Sequence, residues 1–185
     1  MAKGSAGVHR NGLADSHRRL VAAVRRMTGS KPPTDFDSDV WTKIPSPEEL
    51  EGAAPAGLWN LLAAQVESAG FELRRGWQHG NDGFTDGRAR IVWIADDISD
   101  AQACATLAHE LAHVLLHCGR DCTGREVEVE AESVAFLVCH ACGLATDAST
   151  VPYLALWSGA DARVVKDAGS VVLATARTIL ASKAA

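Results

Sequence analysis

The sequence predicts an α+β fold in which a small antiparallel sheet packs against a pair of long helices, with further helices at both ends. Three observations carry this. The alternating "FELRRGW", the turn-forming "TDGR" and the β-branched "ARIVWIA" follow one another, as two or three short antiparallel strands would. Two long helical patterns come next, "DDISDAQACATLAHELAHVLLHCG" and "REVEVEAESVAFLVCHACG". Shorter helical patterns stand before and after.

With 185 residues, 47% apolar and 22% charged, the chain can bury one real core and has the composition of an ordinary globular protein. No run of eighteen apolar residues exists, so no bilayer-spanning helix and no membrane partner are expected. "SHRRLVAAVRR" breaks any apolar stretch that could serve as a secretory signal. Five cysteines, an odd number, read as reduced thiols and point to the cytoplasm. The net charge of −5 is uneven, with +6 on residues 1–31 and −11 on the remainder. Residues 1–31 are read as a basic, partly helical N-terminal segment, solvated or in weak contact with nucleic-acid phosphates. No aromatic residue interleaves its arginines, which speaks against base stacking. Residues 32–185 make the main domain, with 32–57 as a Pro-rich lead-in.

The elements follow in order. "ADSHRRLVAAVRRMTG" spaces Leu20, Val24 and Met27 as a helix does and ends on Gly29. The lead-in holds five prolines, but its "SPEE" is a helix-start signal, with Ser46 as cap, Pro47 at the first position and Glu49 reaching back. "GLWNLLAAQVESAG" places Leu58, Leu61, Leu62 and Val66 on one face and stops at Gly70. After the strands, one long helix starts at Ser99 or Asp100 and ends near Gly119; the next stops at Gly143. Pro152 opens a short turn or helix, and Asp161–Ala181 reads as one final helix.

The long helices carry the chemistry. His109 and His113 in "HELAH" are four residues apart, so both imidazoles project from one helix face as two ligands of a zinc ion would. Glu110 lies about a hundred degrees round, beside the metal, where a carboxylate can take a proton from water. The extended form with Gly and His further on is excluded, because Leu116 and Gly119 stand at those positions. His117 is read first as a helix-end histidine favoured by the dipole, with a role in the cleft as the alternative. On the next helix Glu128 and Glu132 share one side, set within an apolar face of Val127, Ala131, Val134, Ala135, Val138 and Cys142, widened by Phe136. Glu126 and Glu130 are expected to face water. A carboxylate in an apolar face needs a partner. With the helices antiparallel, Glu128 comes opposite His113 and is the better third ligand. Glu132 comes abreast of His109 and is the better acceptor for its other N–H; a one-turn slip would exchange the two.

"TLAHELAHVLLH" followed by "EVEAESVAFLV" resembles the zinc metallopeptidase domain of the ImmA/IrrE type, and is closer still to the C-terminal domain of actinobacterial ArdC-like antirestriction proteins. "LWNLLAAQVESAGFELRRG", "DDISDAQACATLAHELAH" and "VPYLALWSGADARVV" extend the resemblance over about residues 35–182. It implies a gluzincin-like fold, Zn2+ held by His109, His113 and Glu128, and Glu110 as general base. Two departures stand out. ArdC-like relatives carry a single-stranded-DNA-binding domain ahead of this one, where only the short basic segment precedes it here. Ala112 stands where many relatives have Gly, also a small residue.

Other groupings carry less. The Cys118–Cys122 and Cys139–Cys142 pairs would lie roughly 20 Å apart along a helix, too far for one shared site. His140 is expected at the surface. Tyr153, the single tyrosine, is placed in the cleft as an oxyanion donor or in the core. The expectation is a zinc-dependent endopeptidase acting on a protein or peptide substrate, held along an edge strand near "ARIVWIA". The alternative is a non-hydrolytic zinc-containing module that binds protein or DNA.

Overall fold

The computed structural model describes residues 10–28, 47–76, 81–119, 124–158 and 161–181. Among these residues the elements run α1 (Arg10–Thr28), α2 (Leu58–Ser68), β1 (Glu72–Arg75), β2 (Gly83–Asp86), β3 (Ile91–Ile94), α3 (Asp100–Leu116), α4 (Arg125–Ala141), α5 (Asp147–Trp157), α6 (Ala162–Asp167) and α7 (Gly169–Ala181). The fold is α+β, with helices on either side of the sheet region in sequence.

Asp86 makes the hairpin. Its Oδ1 accepts the backbone N–H groups of Arg88 and Ala89, each at 2.9 Å, the local bonding that makes Asp a turn residue. Arg90 then takes a left-handed φ of 56°, and β3 returns antiparallel to β2 with Phe84 opposite Trp93 and Thr85 opposite Val92. β1 lies on the other side of β3 and pairs with it in parallel. The sheet is therefore mixed rather than wholly antiparallel. The chain reverses between β1 and β2 and again at the hairpin, so β1 and β3 run the same way, and β3 in the middle makes them neighbours. Val92 and Ile94 are fully buried, as suits a strand paired on both sides. "ARIVWIA" is thus the central strand and not an edge; the edge beside α3 is β2.

α3 opens at Ser99, whose hydroxyl accepts the Gln102 N–H at 3.0 Å, one of the two predicted caps. It packs most extensively on α4 and also touches α2, β2 and β3. α4 is the central helix, in contact with α1, α3, α5, α6 and α7. Its burial is wider than the expected stripe: Val129, Leu137 and Cys139 are as buried as Ala131, Val134 and Val138, while Val127 and Cys142 are only partly so. A helix packed on several sides loses its polar face. It closes on Gly143 at φ 90°, with Leu144 N–H bonded back to Cys139 O at 2.9 Å.

Four local expectations change. Ser46 lies outside the described residues, and Pro47–Leu50 is not helical. The backbone there is used by α3: Leu50 N–H donates to Gln102 Oε1 at 2.9 Å, Ser99 Oγ donates to Leu50 O, and Ala101 N–H donates to Gly52 O at 3.1 Å. Tertiary bonds replace the helix signal. Pro152 does not open α5 but sits inside it. A proline leaves the carbonyl four residues back without its helical donor; here Ala148 O accepts the Glu48 N–H instead, at 3.4 Å. The final helix is divided at Ala168 into α6 and α7. His17 Nε2 meets Val165 O at 3.1 Å, the carbonyl that an unbroken helix would pair with Gly169. Lastly, α1 buries Leu13, His17, Leu20 and Val24 and packs on α5 and α6, so its apolar face belongs to the core. Its expected end at Gly29 lies outside the described residues.

Candidate metal centre

The centre lies where the middle of α3 faces α4. His109 and His113 Nε2 are 2.9 Å apart, as one helical turn between two histidines allows. Glu128 reaches them from α4, with one oxygen 3.4 Å from His109 Nε2 and the other 3.6 Å from His113 Nε2. One donor atom from each of the three residues lies within 4.8 Å of the other two, an arrangement that could hold a metal ion. Among the described residues this is the only such group of His, Cys, Asp and Glu. Two imidazole nitrogens and a carboxylate oxygen fit a divalent metal by their chemistry, and among the described residues no lysine or arginine lines the cleft beside them.

Each of these side chains is held from behind. His109 Nδ1 lies 3.0 Å from Glu132 Oε2, and Glu132 Oε1 accepts the Thr150 hydroxyl of α5 at 2.6 Å. Tyr153, also on α5, donates its hydroxyl to Glu128 Oε2 at 3.0 Å. His113 Nδ1 lies 2.9 Å from His117 Nδ1, and His117 Nε2 lies 3.1 Å from Glu130 Oε2. Glu130 therefore does not face water as expected; it is half-buried, because His117, the C-cap of α3, reaches its flank of α4. Glu126 is exposed.

Glu110 is buried at 7% exposure yet lines the cleft. Thr85 of β2 donates its hydroxyl to Glu110 Oε2 at 2.7 Å. The cleft has a volume of about 430 Å³ and takes its walls from β2, α3, α4, α5 and the lead-in at Pro47–Glu49. Tyr153 is in this wall, and its ring meets that of His109 edge-on at 6.1 Å.

The electrostatics follow the contacts. Burial lowers the basicity of His109, but hydrogen bonds to Glu128 and Glu132 outweigh it and lift the imidazole to about 10. Burial and the neighbouring charge on His109 hold His113 down at about 4. Glu128 is held at about 2, chiefly by its hydrogen bond to His109. Burial raises Glu110 against the pull of His109 and Thr85. Tyr153 is raised by burial and then by the charge of Glu128, so its hydroxyl keeps its proton.

These residues form an HExxH-plus-Glu arrangement. Residues 61–141 match the family model of the IrrE N-terminal-like domain, a peptidase family. The IrrE-like region runs from within α2 to the end of α4 and takes in His109, Glu110, His113 and all three half-buried glutamates. Thr150 and Tyr153 lie beyond it and are added by α5. No curated protein and no solved structure gives a significant match.

Outside the centre, Cys104 and Cys139 are buried and Cys118 and Cys142 partly so; Cys122 lies outside the described residues. Burial raises Cys104 to about 11 and Cys139 well above its ordinary value, which leaves both thiols unreactive. His140 is exposed, as expected, and stacks on Phe136 at 5.7 Å. Sequence reading missed Thr85, Thr150 and the His117–Glu130 pair. His117 had a visible signal, four residues beyond His113. Thr150 stands one helical turn before Tyr153, a relation hidden by Pro152, which reads from sequence as the start of that helix. Thr85 had no signal, since the strand residue that meets Glu110 is set by sheet-on-helix packing.

Proposed function

We propose that this chain is a zinc-dependent endopeptidase-like hydrolase of peptide bonds. His109, His113 and Glu128 hold the metal, Glu110 is the general base, and Glu132 orients His109. The observation that carries the reading is a buried, hydrogen-bonded Glu110 carboxylate on the cleft wall next to a three-donor metal cluster. Zinc in such a set supplies a Lewis acid that polarises a carbonyl and acidifies water to a pKa of about 7. Glu110 accepts the water's proton at Oε1 or Oε2 while Thr85 steadies the carboxylate. Tyr153, held as a protonated donor, turns its hydroxyl from Glu128 to the developing oxyanion. β2 meets the same cleft at Gly83, and its edge, unpaired among the described residues, takes the substrate backbone as an added strand.

The substrate is a protein or peptide of the regulatory kind that the resemblance implies, in the cytoplasm to which the odd number of cysteines points. The exposed Arg18, Arg19, Arg25 and Arg26 of α1 support a weak, salt-sensitive contact with nucleic acid.

The test combines metal content with turnover. Wild type and Glu126→Ala should purify with one zinc per chain and Glu128→Ala with none. Glu110→Gln should keep its zinc and lose cleavage of a quenched-fluorescence peptide library by a factor on the order of 10²–10⁴. Equal behaviour of Glu110→Gln and wild type would move the reading to a non-hydrolytic module of the ArdC-like, antirestriction kind.

A further inference from the structure

We infer that His117 and Glu130 are positioning residues for His113, a relay that fixes which imidazole nitrogen His113 offers to the metal. The inference rests on the metal-site reading above. It starts from Glu130, which as an ionised carboxylate can only accept hydrogen bonds. His117 Nε2, 3.1 Å from Glu130 Oε2, must therefore carry its proton there. In a neutral imidazole the other nitrogen then has only a lone pair, so His117 Nδ1 is an acceptor. His113 Nδ1 lies 2.9 Å from it and must be the donor. The proton on Nδ1 leaves His113 Nε2 with a lone pair, and this is the nitrogen that faces His109 Nε2 and Glu128.

The relay repeats, through one more ring, what Glu132 does for His109. There the carboxylate oxygen is 3.0 Å from Nδ1, and again Nε2 is left facing the cluster. Both ligand histidines thus present the same nitrogen, each because a glutamate on α4 accepts at the far end. Burial gives the relay its grip: the His117 side chain is 9% exposed and that of Glu130 27%, so water competes weakly for either ring nitrogen. Without the carboxylate, His117 can carry its proton on Nδ1 and drive that of His113 onto Nε2, where it blocks the metal.

The experiment is Zn2+ affinity, measured on the full chain by competition with a chromophoric chelator, beside the visible spectrum of the Co2+-loaded protein. Glu130→Gln and His117→Leu should bind Zn2+ roughly 10–100-fold more weakly than wild type, the range typical of lost partners to ligand histidines. Glu130→Gln should also shift the Co2+ bands, which a purely structural pair would leave in place. His117→Gln, whose carboxamide oxygen can accept from His113 Nδ1, should recover part of the loss. Glu126→Gln on the exposed side should match wild type. Affinities of both Glu130→Gln and His117→Leu within about twofold of wild type would overturn the relay. Melting curves of the metal-free chains check folding; if His117→Leu does not fold, the near-isosteric Glu130→Gln decides. Failure of wild type itself to bind Zn2+ would remove the metal-site reading instead.

Discussion

At Thr85 a single hydroxyl joins the sheet to the chemistry. Its oxygen lies 2.7 Å from Glu110 Oε2 and 3.3 Å from the backbone oxygen of Glu110, so the carboxylate is the stronger partner. Glu110 is buried, and burial disfavours its charged form; the charge of His109 and then the Thr85 hydroxyl offset that. A hydrogen bond to a charged group is worth roughly 1.5–3 kcal/mol. Thr85→Val keeps the side-chain volume and removes the donor, so turnover should fall on the order of tenfold or more with bound metal unchanged. Peptide cleavage beside metal analysis checks this; unchanged turnover would show that Glu110 needs no donor. At this scale the ligand pair was legible because i and i+4 on a helix is a local relation. Glu128 was legible because a carboxylate among apolar positions calls for a partner. Thr85 was not, since its meeting with Glu110 joins residues twenty-five apart across a sheet–helix contact that no local pattern encodes.

Gly83 shows the same junction as a matter of elements. A Cβ there would come within 2.6 Å of Thr106 Cγ2 and 2.9 Å of the Trp93 carbonyl, so β2 and α3 approach too closely for any side chain. The Trp93 oxygen belongs to the β3 backbone and cannot swing aside. Gly83→Ala should cost about 1–3 kcal/mol through overpacking and push β2, with Thr85, away from Glu110. Urea unfolding and peptide turnover should therefore fall together. A variant of wild-type stability and activity would mean that the junction has slack. Helices with caps were read closely from sequence: Ser99 opens α3 and Gly143 follows α4 because capping is local chemistry. Where local signals were outvoted, a distant element had taken the backbone bonds. Gln102, Ser99 and Ala101 of α3 claim the "SPEE" neighbourhood, and the Glu48 amide lets a proline sit within α5. Strand order was beyond reach for a like reason, since β1 pairs with β3 across the intervening β2, a contact that no local pattern encodes.

Over the whole molecule, α1 and the last two helices close the side of α4 away from the sheet. α1 contributes Leu13, Leu20 and Val24 to one core with α4 and α7, at roughly 1.5–3 kcal/mol for each side chain fully buried. Its seam runs through His17, buried between α1 and the α6–α7 break, where Gly169 leaves room for the ring: a Cβ at Gly169 would meet His17 Cε1 at 2.7 Å. His17 donates Nε2–H to Val165 O, which a neutral ring does as well as a charged one, while burial penalises the charge and lowers the pKa below its ordinary 6.5. The unfolded chain therefore takes up this proton first as the pH falls. The contribution is complete above pH 6.5 and is lost from there down toward the folded value. Wild type should lose urea stability between pH 7.5 and 5 more steeply than His17→Gln, which keeps a donor for Val165 O but has no proton to gain. The metal-site groups titrate in both chains, so the difference between the two curves isolates His17. Parallel curves would mean that the seam opens to water before it feels the charge, and that α1 is held by its leucines alone.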